Sequence, residues 1–107
     1  NPYLLQAGVI AAGLHGLNHK VDPGEPMSCN MYTDYKNYPN LKKLPDEIED
    51  ALDFLKNSKE LKEAFGEGVI KSYIKLKNME IEDFYKNDRF DKQSVVTDWE
   101  KNNTLDC

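Results

Sequence analysis

Only two cysteines, two histidines and one tryptophan occur among the 107 residues, and that shortage removes several chemistries at once. Cys29 and Cys107 are too few for a disulfide framework, and neither lies in a C-x-x-C or His-rich context. Two free thiols in a reducing cytosol are the simpler reading. A bridge would require Cys107 to return to the loop that follows the first helix, which is a question of geometry. His15 and His19 stand four apart on one helical face, a spacing that suits a metal ion. No acid or third histidine accompanies them, so solvated or hydrogen-bonded imidazoles are expected.

Clustered positive charge is missing too. Lys and Arg number 14 against 19 Asp and Glu, a net charge of −5, and the lysines are interleaved with acids. Nucleic acid and anionic lipid should therefore be repelled rather than bound. No phosphate-cradling Gly-rich loop precedes a Lys-Ser/Thr pair, and no Ser-His-Asp set or metal motif is present. The apolar opening run lacks the positive flank of a signal peptide and falls short of the ~20 apolar residues of a membrane span. There is no internal repeat, no low-complexity tract and no convincing strand pattern.

What remains is helix, in one domain's worth of residues with an ordinary 31% charged and 39% hydrophobic composition. The spacing predicts helices over residues 2–17, 46–56, 59–65 and 67–86, with a short one over 98–103. The fold class expected is all-α, with four to five helices. Asn1 can cap the first helix and Pro2 suits its first turn. Leu4, Leu5, Val9, Ile10, Leu14 and Leu17, with alanines between them and no charge before Lys20, leave that helix without a polar face. It reads as a helix built for burial on nearly all sides. Gly8, Gly13 and Gly16 each cost roughly 1 kcal/mol of helix propensity, tolerable where another backbone comes very close.

Pro23 and Gly24 occupy the positions a type II turn prefers, and Pro26 prevents the first helix from resuming. Residues 27–44 are aperiodic and should form a long surface loop carrying Tyr32. Asp46 and Glu49 have capping-box spacing, after which Ile48, Ala51, Leu52 and Leu55 make one apolar stripe. The acids at 46, 47, 49, 50 and 53 complement the dipole at a helix start, and a catalytic or metal role for them is the lesser reading. Ser58 can cap the next helix and Gly66 can end it. The helix over 67–86 places Val69, Ile70, Tyr73, Ile74, Leu76, Ile81, Phe84 and Tyr85 on one broad face. Lys77 and Glu80 fall inside that face, either as a paired bridge or as charges at its edge; pairing is preferred, because isolated burial costs several kcal/mol. Residues 87–96 read as a polar connector. Thr97 and Glu100 have capping-box spacing again, with Trp99 as the anchor of the last helix.

Four strings carry a resemblance across nearly the whole chain: NPYL with AGLHGL, then KVDPGEP with NMY, then LPDEIEDALDFL and YIKLKNMEIEDF. In that order and spacing they resemble the glutamine synthetase family just after its active-site strands. The ending DWEKNNTLDC is similar to a variant branch whose chains stop at W-E-x-x-x-T-L-D-C. The resemblance implies that residues 1–107 are the C-terminal helical segment of an α+β catalytic domain. A first residue other than Met, set directly on a helix cap, fits a fragment. The implied parent is a cytoplasmic ligase that makes γ-glutamyl phosphate from glutamate and ATP, with Mg²⁺ or Mn²⁺, and works in rings of identical subunits.

The family's metal-binding glutamates and substrate-holding arginines lie before the N-P-Y motif. No catalytic, cofactor-binding or metal-binding residue is therefore carried over, and the segment alone should be inactive. Its expected partner is the upstream part of its own domain, and neither nucleic acid nor membrane is expected. Tyr32 occupies the place of the tyrosine in N-L-Y that some bacterial members adenylylate, although TDYKNYPN replaces the family's acidic surroundings. A packing or hydrogen-bonding tyrosine is the competing reading. The competing reading of the whole chain is an autonomous acidic helical interaction module.

Overall fold

The computed structural model describes residues 1–87 and 96–104. Most of the expected connector, and Cys107 with any bridge to Cys29, lie outside the described residues. Among those described the fold is all-α: α1 (Pro2–Asn18), α2 (Met31–Asp34), a 3-10 turn over Tyr35–Asn37, α3 (Ile48–Asn57), α4 (Lys59–Phe65), α5 (Glu67–Asn87) and α6 (Asp98–Asn103). α5 packs against both α3 and α4, and α1 lies on α4. The centre of this arrangement is small. Leu52 of α3 and Ile70 of α5 are its buried apolar side chains, 7% and 4% exposed, with Leu55, Leu61, Phe65, Tyr73 and Ile74 half-buried around them.

Most helix boundaries follow from local chemistry. The Asn1 side chain accepts from the Tyr3 and Leu4 N–H groups at 3.0 and 3.1 Å, and Pro2 has no N–H to satisfy. α1 closes through Lys20, which takes φ +51, while the Val21 N–H donates to the Gly16 carbonyl at 2.9 Å. That left-handed position usually falls to glycine because a Cβ crowds it. Ser58 accepts from the Leu61 N–H at 3.2 Å to start α4, and Gly66 at φ +82 ends it. At α6 the box is complete: the Thr97 hydroxyl accepts from the Glu100 N–H at 3.1 Å, and the Glu100 carboxylate accepts from the Thr97 N–H at 2.7 Å. Hydrogen bonding to its carboxylate, from the Thr97 backbone first and the Thr97 side chain second, holds Glu100 below its ordinary value.

Three expectations need correction. The box at Asp46 does not form. α3 starts at Ile48 behind an extended Glu47 that makes no side-chain cap, and the Glu49 carboxylate instead accepts from the Tyr85 hydroxyl at 2.8 Å. A tertiary bond has taken the group that the local motif required, and it raises the Tyr85 phenol above its ordinary value. Residues 27–44 are not loop throughout, because Asn30 nucleates α2: its side chain accepts from the Tyr32 N–H at 3.1 Å while its own N–H donates to Asp34 at 3.2 Å. Tyr32 therefore stands on a helical turn. The broad apolar face of α5 is only partly used, since Val69, Leu76 and Tyr85 remain exposed.

Candidate functional site

Tyr32 is the one residue singled out in advance for a functional role, and α2 presents it outward. Among the described residues it is 95% exposed. The turn beneath it is tied down by the Asn30 cap and by Thr33, whose hydroxyl sits 3.2 Å from the Asn30 carbonyl and 2.9 Å from Asp34. Nearby, the Cys29 sulfur lies 3.5 Å from the Met31 sulfur. Its contact with the Tyr38 hydroxyl raises that phenol, first by hydrogen bonding and then by charge. The arrangement presents a phenolic oxygen on an anchored turn.

The second candidate is the surface of α1. No side chain of this helix is buried. With about 100° between successive residues, Leu4, Ala7, Gly8, Ala11 and His15 share the sector turned toward the rest of the chain, whereas Val9, Ile10, Gly13 and Leu17 point away. Val9, Ile10 and Leu17 are 65%, 62% and 76% exposed. The covered sector holds mostly small side chains and the bare one holds most of the bulk. Beside it a groove of about 600 Å³ runs between the start of α1 and the α3–α4–α5 layer, lined by Leu4, Leu5, Leu55, Leu61, Phe65 and Ile70 among others. Among the described residues the three glycines of α1 serve no close approach, because a Cβ at Gly8, Gly13 or Gly16 would meet nothing within 4 Å.

The other marked residues find local partners. His15 and His19 stack with ring centroids 4.0 Å apart, and a His19 ring nitrogen, Nδ1, lies 2.9 Å from the His15 carbonyl oxygen. Lys77 and Glu80 pair with each other at 2.6 Å, one turn apart on α5. Trp99 anchors α6 as expected: its Nε1–H donates to Asp83 at 2.7 Å, and its ring meets Phe84 edge-on at 5.4 Å. Among the described residues no group of three or more His, Cys, Asp or Glu is placed to hold a metal ion, and no helix is long and apolar enough to cross a membrane. The acids at the start of α3 do not converge, and Glu49 is held by Tyr85.

Comparison with known proteins identifies the family. The model of the glutamine synthetase catalytic domain matches residues 1–103. The chain belongs to this family. It is 41% identical over 106 residues to the glutamine synthetase of Rhizobium meliloti (strain 1021), an alignment covering 99% of this chain and 22% of the relative. It is 36% identical to the glutamine synthetase of Methanosarcina mazei over 94% of this chain and 21% of that one. A glutamate–methylamine ligase of Methyloversatilis universalis is 33% identical over 99% of this chain and 23% of its own length. The chain thus spans between a fifth and a quarter of these relatives. No solved structure matches it.

The helical cap of Asn30 is what sequence reading missed within this family segment. The signal was present as Asn followed four residues later by Asp, but it was masked by the aperiodic stretch around it.

Proposed function

We propose that this chain is the C-terminal helical part of an ATP-dependent ligase that joins an amine to the γ-carboxylate of glutamate, and that its own role is structural. In this reading the parent forms γ-glutamyl phosphate and an amine displaces the phosphate, with ATP and Mg²⁺ or Mn²⁺ held by residues outside 1–107. The parent works in the cytoplasm as a ring of identical subunits. The segment backs the active-site sheet with α1 and presents the 27–44 region, where Tyr32 is the candidate for a regulatory covalent group.

The observation that carries this reading is the family match across residues 1–103 within relatives more than four times as long. The uncovered face of α1 supports it, since a sheet from the upstream part would cover that face. Calorimetric titration of the chain with ATP and Mg²⁺ should be flat; saturable binding would overturn the structural role. The same segment joined to its upstream part should release phosphate from ATP only when glutamate and an amine are both present. Ammonia, methylamine and ethanolamine should be compared as acceptors. Failure with all three would overturn the ligase assignment.

A further inference from the structure

We draw no further inference here: the strongest candidate, the stacked pair of His15 and His19 side chains at the C-terminal end of α1, offers a metal ion two imidazoles only, and among the described residues no third His, Cys, Asp or Glu is placed to complete a site.

Discussion

α1 and α5 are the two long helices of this chain, and they solve opposite problems. α5 alternates one apolar face with charge, so Ile70 reaches the interior while Lys71 pairs with Glu67 in solvent. α1 is apolar around its whole circumference, yet none of its side chains is buried. A helix with one apolar stripe can be satisfied by two neighbours; a helix with apolar residues on every side cannot. The difference is that α5 draws part of its apolar face into the small core of this chain, whereas α1 contributes no buried side chain to it.

Truncating each helix at its most telling position should break or uphold this contrast. Ile70→Ala should cost about 2–4 kcal/mol of unfolding free energy, through lost burial and the cavity left behind. Val9→Ala in the monomeric state should change stability by no more than ~0.5 kcal/mol, because its side chain loses no intrachain packing. Urea melts separate the two. Comparable losses would mean that α1 is as well supported as α5.

A smaller effect sharpens the point in the reverse direction. Gly13→Ala should stabilise α1 in the monomer by up to ~1 kcal/mol, since alanine is the better helix former and nothing stands in the way of its methyl. A loss of helicity in the monomer would reveal a neighbour that the structure does not place there.

The smallest effect concerns the caps. Glu100 ionises, and its folded pKa is depressed by hydrogen bonding from the Thr97 backbone and then from the Thr97 side chain. A depressed carboxylate contributes stability that is present above the unfolded value of ~4.3 and is lost as pH falls through the folded value. Acid titration followed by Trp99 fluorescence should therefore report fraying of α6 below about pH 4, while the side-chain cap of α1 persists. A Glu100→Gln chain, which keeps an acceptor but does not ionise, should lose that transition.

The caps show how legible the local structure was. Ser58, Gly66 and Thr97 act within three or four residues, so the pattern of side chains settles those helix ends whatever the rest of the chain does. The box predicted at Asp46 failed for the opposite reason: its carboxylate partner, Glu49, is engaged by Tyr85 from another helix, 36 residues away. α2 was missed because a one-turn helix has no periodicity to detect, only the Asn30–Asp34 exchange of hydrogen bonds. Tyr32 could be named from its motif, but its 95% exposure depends on how that turn sits.

Sequence by itself determined the helical class, the apolar character of α1, most helix ends and the family, because each rests on short-range chemistry or on strings of residues in fixed order. Tertiary structure decided which apolar residues become core, that Glu49 accepts from Tyr85 instead of capping α3, and that α1 keeps its bulky side bare. Those outcomes depend on which surfaces the packed helices can reach, and the hydrophobic effect specifies that apolar area should be covered without specifying by what.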